Sequence, residues 1–122
     1  MGVVRSSLVD PAVAPKQGSD GAPDAWLVFG DEWRDALDGL AVGDEVLVLT
    51  WLDRAQRDVL QVHPRDDLSQ PLRGVFATRS QDRPNPIGLH PVRILAIDGL
   101  RIQVSGIEAV DGTPVLDIKP AM

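Results

Sequence analysis

The stretch GVFATRSQDRPNPIG, residues 74–88, is the most informative part of the chain. It starts with an apolar run that favours β-structure and changes character at Arg79. Two X-Pro steps, at Pro84 and Pro86, keep the preceding residues out of the helical region and fix φ at each proline. We therefore predict a buried strand over residues 74–78 that leads into a stiff, non-helical loop. A pre-ordered loop of this kind suits the binding of a ligand.

The rest of the chain also favours short strands separated by turns. Residues 45–52 (EVLVLTWL) are apolar almost throughout, which predicts a strand buried on both faces. Asp31 is placed to cap a short helix through Leu37, and Asp98-Gly99 and Asp111-Gly112 are turn sequences. Further strands are predicted over residues 3–9, 25–29, 59–62, 92–97, 101–104 and 113–119. Many short strands with little helix predict a single mainly β domain over residues 1–122, either a sandwich or a barrel.

Composition limits the classes of function. The chain has 122 residues, no cysteine and two well-separated histidines, so it has no disulfide, no Cys nucleophile and no recognisable metal site. It lacks the GxGxxG, GxxxxGK[ST] and GxSxG motifs of nucleotide sites and hydrolases. No apolar run approaches the length of a membrane span, and the N-terminus lacks the layout of a signal peptide. The absence of cysteine fits a cytoplasmic protein.

The net charge of −6 argues against a generic binder of polyanions, but the charge is unevenly distributed. Residues 1–72 carry 13 acidic and 6 basic side chains, whereas residues 73–122 carry 5 and 6. A local electropositive pocket is compatible with an acidic total, although scattered surface charges explain the same counts. The arginines that could form such a pocket are Arg73, Arg79, Arg83 and Arg93.

The histidines and tryptophans have two possible readings each. His63 and His90 each lie between an apolar residue and a proline, and we interpret them as structural or surface histidines rather than catalytic bases. Trp26, Trp33 and Trp51 could stack on bases, but their apolar neighbours favour packing in the core.

Three elements of the chain resemble one protein family. Residues 74–88 are similar to the signature GVFATRSPxRPNPIG of the TsaA-like family, also called TrmO or UPF0066. Pro15-Lys16-Gln17 resembles the family's early Pro-Arg-Gln element, and residues 111–120 (DGTPVLDIKP) match its late motif in order and spacing. The resemblance covers nearly the whole chain. It implies a small closed or nearly closed β-barrel with a short helical insert, which binds S-adenosylmethionine at the interface of a homodimer and needs no metal.

The resemblance also implies an activity and its residues. Characterised members methylate the exocyclic amine of threonylcarbamoyl-adenosine beside the anticodon of threonine tRNA. The resemblance therefore implies that this chain is an S-adenosylmethionine-dependent tRNA methyltransferase. Candidates for a catalytic base, which the sequence does not rank, are Glu108, Asp117 and Asp53. The implied cofactor contacts are Pro15, Lys16, Gln17, Asp53, Arg54, Arg79, Leu89, Gly106, Ile107 and Glu108.

Departures from the family pattern keep a second reading open. The family usually has a His-Glu-like pair at Asp53-Arg54, proline at Gln81 and tyrosine at Ala121, and many bacterial members continue into a C-terminal domain. We therefore expect tRNA to be bound weakly. The alternative is a non-catalytic module that binds S-adenosylmethionine or a related nucleoside and acts as a sensor or partner subunit.

Overall fold

The protein is a small antiparallel β-barrel in a computed structural model that describes residues 1–8, 22–64 and 67–122. Its strands are β1 (Gly2–Arg5), β2 (Ala25–Phe29), β3 (Glu45–Trp51), β4 (Gln61–Val62), β5 (Arg73–Gly74), β6 (Ile87–Asp98), β7 (Arg101–Val104) and β8 (Pro114–Pro120). Six of them close into a ring in the order β1-β2-β7-β6-β3-β8, and β1 pairs back with β8. Strands β4 and β5 form a separate two-stranded sheet. The prediction of a mainly β fold with a small closed barrel is confirmed.

Alternating side chains fill the interior of the barrel. Successive residues of a strand point to opposite faces, and in β3 the inward residues Val46, Val48 and Thr50 are buried. Leu27 and Ile102 meet them from β2 and β7 in one apolar cluster. Each fully buried aliphatic side chain contributes about 1.5–3 kcal/mol, so this cluster supplies the main stabilisation of the fold.

The outer face of β3 is only half-buried. Leu47, Leu49 and Trp51 point outward, and the prediction that both faces of this strand are buried is wrong. Alternation is hidden in an all-apolar run, because apolar residues occupy both faces of a strand whose outer side no described element covers.

The prediction of a strand over residues 74–78 is also wrong. Only Gly74 belongs to a strand, and Val75–Ala77 form one turn of 3₁₀-helix with the Phe76 side chain 91% exposed. The reason is Arg83, whose guanidinium donates hydrogen bonds to the carbonyls of Val75, Thr78 and Ser80. Carbonyls that an extended strand would offer to a neighbouring strand are thus satisfied within the loop.

Other boundaries differ for local reasons. The helical insert is a 3₁₀-helix over Asp31–Leu37, and the Asp31 carboxylate pairs with Arg34 at 2.8 Å instead of capping the helix. Strand β6 begins at Ile87 rather than residue 92, because β7 pairs with it only from Ile94 onward and Pro91 therefore lies where β6 has one neighbour. Strand β1 ends at Arg5 instead of residue 9, and only residues 61–62 of the strand predicted over 59–62 form one.

Candidate functional site

A cleft opens at the end of the barrel where β3 ends and β6 and β8 begin. Its empty volume is about 340 Å³, part of it open to solvent. Three segments of the chain form its walls: the turn after β3, the loop of residues 75–86 between β5 and β6 (the signature loop), and the segment between β7 and β8. The lining residues are Leu52, Asp53, Arg54, Ala55, Gln81, Glu108, Ala109, Val110 and Thr113.

The signature loop is fastened to the turn after β3 along its length. The bonds are Leu52 N to Pro86 O at 2.8 Å, Gln56 N to Asp82 Oδ1 at 2.9 Å, Arg83 N to Gln56 O at 3.0 Å and Arg57 Nε to Pro84 O at 2.8 Å. The Arg57 guanidinium also lies 5.2 Å from the ring centre of Trp51. Together with the fixed φ of the two prolines, these contacts give a wall that is ordered before a ligand arrives, as the sequence predicted.

The four arginines suggested for an electropositive pocket make different contacts. Arg83 holds loop carbonyls and Arg93 pairs with Glu45 at 3.0 Å on the barrel wall. Arg73 and Arg79 are exposed, and Arg79 forms no hydrogen bond or ion pair with another described residue. The four side chains therefore do not form one pocket; only Arg73 and Arg79 remain available to an anion.

A buried polar chain runs from the barrel interior to the cleft. Thr50 Oγ1 lies 2.7 Å from His90 Nε2, and His90 Nδ1 lies 2.8 Å from Glu108 Oε1. The side chain of His90 is 2% exposed and that of Glu108 is 20% exposed. Thr113, the other buried polar residue bordering the cleft, donates its hydroxyl to Val110 O at 2.7 Å. The end of the barrel below the cleft is thus polar, whereas the rest of the interior is apolar.

The residues implied as cofactor contacts fall into two groups. Asp53, Arg54 and Glu108 line the cleft together. Ile107, next to Glu108, is fully buried in the apolar core, so only its backbone can face a ligand, and its N–H already donates to Pro23 O at 3.1 Å. Gly106 is partly buried beside it.

Other implied residues lie away from this cleft. Leu89 points outward from β6 and is 40% exposed. It pairs with Leu49 of β3, which in turn pairs with Asp117 of β8, so the three side chains form a row across the outer face of the barrel. Arg79 is exposed on the signature loop. The sequence therefore grouped residues that one copy of the chain does not bring together. Pro15, Lys16 and Gln17 lie outside the described residues.

Sequence reasoning did not single out Thr50, and it interpreted His90 as a structural or surface histidine without linking it to Glu108. Both are buried, and neither stands in a motif that marks chemistry. One signal was available: Gly88 precedes His90 by two residues, which in a strand puts both on the same face, and a glycine inside a strand often marks a close approach. His63 is different, since it is not buried and its Nδ1 lies 2.8 Å from Gln70 O.

The expectation that the tryptophans pack in the core is wrong. Trp26 is half-buried on the outside of β2 with the Arg101 guanidinium 4.5 Å from its ring centre. Trp51 is half-buried under Arg57, and Trp33 is 36% exposed on the 3₁₀-helix. An indole is large and amphipathic, so it can cover the outer surface of a barrel whose interior holds mainly Val, Leu and Ile.

Two kinds of site receive no support from the described residues. Within residues 1–8, 22–64 and 67–122, no group of three or more His, Asp or Glu side chains could hold a metal ion. Over the same ranges, no helix has the length and apolar character to cross a membrane.

Comparison with known proteins places the chain. A family model described as the tRNA-methyltransferase O N-terminal domain matches residues 3–122. A probable S-adenosyl-L-methionine-binding protein of Methanothermobacter thermautotrophicus is 43% identical over 120 residues, which are 98% of this chain and 85% of that protein. Another probable S-adenosyl-L-methionine-binding protein, from Archaeoglobus fulgidus, is 44% identical over 98% of this chain, but the match spans only 32% of the relative.

Solved structures agree with this placement. The crystal structure of TrmO from Pseudomonas aeruginosa superposes with a TM-score of 0.75 at 34% identity, and the match covers 99% of this chain and 52% of that one. This chain thus corresponds to about half of the solved protein. By the extent of these matches, the chain belongs to the family of the tRNA-methyltransferase O N-terminal domain.

Proposed function

We propose that the chain binds S-adenosylmethionine in the cleft and transfers its methyl group to the exocyclic amine of threonylcarbamoyl-adenosine in a tRNA. The observation that carries the proposal is the cleft itself. Its walls combine the pre-ordered signature loop with the adjacent residues Asp53 and Arg54 and with Glu108, which lies far from them in the sequence. Family membership and the names of the relatives support the cofactor.

The lining of the cleft fits the chemistry of this cofactor. An amino-acid carboxylate is matched by the guanidinium of Arg54, and an ammonium group or ribose hydroxyls by the carboxylates of Asp53 and Glu108. Leu52 and Val110 offer apolar surface for the carbon chain. When bound, the cofactor supplies an electrophilic methyl group on a positively charged sulfur, for which the two carboxylates are suitable neighbours.

The contribution of the protein to the reaction is mainly positioning. Methyl transfer is an in-line displacement, so its rate depends on holding the accepting nitrogen and the methyl carbon in line. The loop anchored by Leu52, Gln56 and Arg57 provides a wall that needs no reordering. An accepting base must leave its stack to reach the cleft, as is usual in recognition of single-stranded RNA.

A homodimer that shares the site explains the residues that lie apart. Part of the empty volume of about 340 Å³ in the cleft is open to solvent, so the cleft of one subunit does not enclose a ligand. Leu89 and Ile87 leave apolar surface exposed on β6, and Phe76 does so in the signature loop. In a symmetric dimer, the outer row of one subunit can complete the cleft of the other. We propose that Leu89 and Arg79 reach the cofactor in this way.

Binding of tRNA is proposed to be weak and dependent on salt. The chain has a net charge of −6, and of the arginines considered above only Arg73 and Arg79 remain unpaired with described carboxylates or loop carbonyls. Few phosphate contacts give a shallow dependence of affinity on salt, with a slope of roughly 0.7–0.9 per phosphate neutralised.

The decisive experiment has two stages. Calorimetry with S-adenosylmethionine should show binding that Glu108→Gln weakens, whereas Glu45→Gln, an exposed carboxamide variant on the barrel wall, should leave it unchanged. Mass spectrometry should then detect one added methyl group on threonylcarbamoylated tRNA incubated with protein and cofactor. Failure to bind the cofactor overturns the whole proposal, and binding without transfer overturns the enzyme.

One observation favours a second candidate function. The matched relatives are named only as S-adenosyl-L-methionine-binding proteins, with no mention of transfer. A non-catalytic sensor or partner module would use the same cleft. It is distinguished by cofactor binding that persists while tRNA stays unmethylated.

A further inference from the structure

A continuous series of hydrogen bonds joins Thr50, His90 and Glu108, and the fold does not by itself require it. Thr50 is fully buried and His90 is 2% exposed, whereas neighbouring inward positions of the same strands hold Val46, Val48 and Val92. Burying a histidine and a hydroxyl in an apolar barrel is unfavourable unless both are satisfied. Here both are satisfied, and among the described residues their side-chain partners are each other and Glu108.

The chain of hydrogen bonds has a defined direction. His90 Nδ1 faces a carboxylate, which only accepts, so in the neutral imidazole Nε2 carries no hydrogen and accepts from the Thr50 hydroxyl at 2.7 Å. The imidazole then carries its own hydrogen on Nδ1 and donates it to Glu108 Oε1 at 2.8 Å. Thr50 and Glu108 thus favour the same tautomer of His90, and its Nδ1–H orients the Glu108 carboxylate.

Gly88 is the residue that leaves room for this arrangement. It pairs with Thr50 across β3 and β6. A Cβ at this position would lie 2.4 Å from Thr50 Oγ1 and 2.5 Å from His90 Nε2, which real contacts do not show. The last glycine of the signature RPNPIG is therefore required by the Thr50–His90 hydrogen bond rather than by the loop.

The exposed end of this series of hydrogen bonds is the carboxylate of Glu108. Glu108 Oε1 accepts from His90, and Oε2 has no partner among the described residues, on a side chain that lines the cleft. In a hydrolytic triad the order is reversed, with a hydroxyl facing the substrate and the carboxylate behind the histidine. This order cannot activate the threonine as a nucleophile, but it can fix a proton acceptor.

We infer that Thr50 and His90 are positioning residues that hold Glu108 as the proton acceptor for the methyl-accepting nitrogen. The inference rests on the proposed function. As the nitrogen–carbon bond forms, the methyl–sulfur bond breaks and its electron pair stays on sulfur, which becomes a neutral thioether. The proton of the accepting nitrogen passes to Glu108 and from there to solvent through the open cleft. An amide-like nitrogen is a poor nucleophile, so removal of this proton assists the transfer.

The test uses a matched pair at Thr50. Thr50→Val keeps the shape and removes the hydroxyl, whereas Thr50→Ser keeps the hydroxyl. Glu108→Gln removes the acceptor. For each variant, three quantities are measured: the affinity for S-adenosylmethionine by calorimetry, kcat and KM for methyl transfer to threonylcarbamoylated tRNA, and the low-field NMR signal of a histidine ring N–H bonded to a carboxylate.

The expected results separate positioning from mere structure. Thr50→Val should lower kcat about 3- to 10-fold, as for the loss of one orienting hydrogen bond, with cofactor affinity and KM nearly unchanged. Thr50→Ser should restore kcat, and Glu108→Gln should lower it about 100-fold or more, as for the loss of a general base. The ring N–H signal should be present in the wild type and in Thr50→Ser, and shifted or lost in Thr50→Val and Glu108→Gln.

Other results would overturn the inference. Equal kcat in Thr50→Val and wild type would refute the positioning role of Thr50 and His90, and so would a ring N–H signal that Glu108→Gln does not change. The proposed methyltransferase activity would be unaffected by either result. If Glu108→Gln lowers the affinity for the cofactor but leaves kcat unchanged, Glu108 only binds the cofactor and is not the proton acceptor. If the wild-type protein binds the cofactor but transfers no methyl group, the proposed function itself fails. That result is distinct from a failure of the inference about Thr50 and His90, which requires an active wild type.

Discussion

Replacement of Gly88 by alanine tests the buried chain through stability, independently of any activity. The added Cβ would lie 2.4 Å from Thr50 Oγ1 and 2.5 Å from His90 Nε2. Both atoms belong to side chains that are at most 2% exposed, so neither can swing into solvent. Their own hydrogen bond, at 2.7 Å, lies directly beside the new methyl group and must break or lengthen.

The magnitude follows from two costs and one gain. Overpacking a tight interior typically costs about 1–3 kcal/mol. A buried polar group left without its partner costs about 1–3 kcal/mol more. Restriction of the unfolded chain by alanine returns about 0.4–1 kcal/mol. We therefore expect Gly88→Ala to lower the free energy of unfolding by about 2–5 kcal/mol, a large part of the total for a domain of this size.

The assay is urea unfolding followed by tryptophan fluorescence. Gly74→Ala is the control, because a Cβ there meets nothing within 4 Å and the backbone, at φ −60° and ψ 142°, suits any residue. That variant should be neutral or slightly stabilised. In a Thr50→Ala background, Gly88→Ala should cost less, since the nearest atom is gone. A Gly88→Ala protein within about 0.5 kcal/mol of the wild type would show that the close approach does not exist.

Three further outcomes are expected. Arg79→Ala should weaken S-adenosylmethionine binding by about 1–3 kcal/mol in calorimetry, the range for one charge-assisted hydrogen bond, and unchanged affinity in a folded variant removes Arg79 from the site. Mixing the Arg79→Ala and Glu108→Gln proteins should restore methyl transfer in about a quarter of the sites. In a shared site, each heterodimer has one cleft in which an intact Glu108 meets an intact Arg79 from the other subunit. No recovery of activity, or monomers in light scattering, argues against a shared site. Gly112→Ala, at φ 86°, should lower the free energy of unfolding by about 1–2 kcal/mol, measured against the same Gly74→Ala control.

Local sequence patterns predicted the parts of the fold that depend on neighbouring residues. The strands over residues 25–29 and 101–104 and the turns at Gly99 and Gly112 are where alternation and glycine indicated, and both glycines have positive φ. The stiffness of the signature loop was likewise visible in its prolines. The turn at Val75–Ala77 was not, because the choice between strand and turn there depends on Arg83, several residues later, folding back to take the carbonyls.

The candidate site shows the same limit more sharply. Asp53, Arg54 and Glu108 could be named because the family resemblance carries contacts over to them. Nothing in the local sequence relates them to Thr50 or His90. Those two residues are 40 positions apart and meet through the register that pairs Thr50 with Gly88 and sets His90 one inward position further along β6. A one-residue slip of β3 against β6 would turn the inward set outward and abolish the hydrogen bond. Val46, Val48 and Val92, the adjacent inward residues, anchor this register in the apolar core. The core of the barrel therefore determines where the hydrogen-bonded residues meet and where the Glu108 carboxylate emerges.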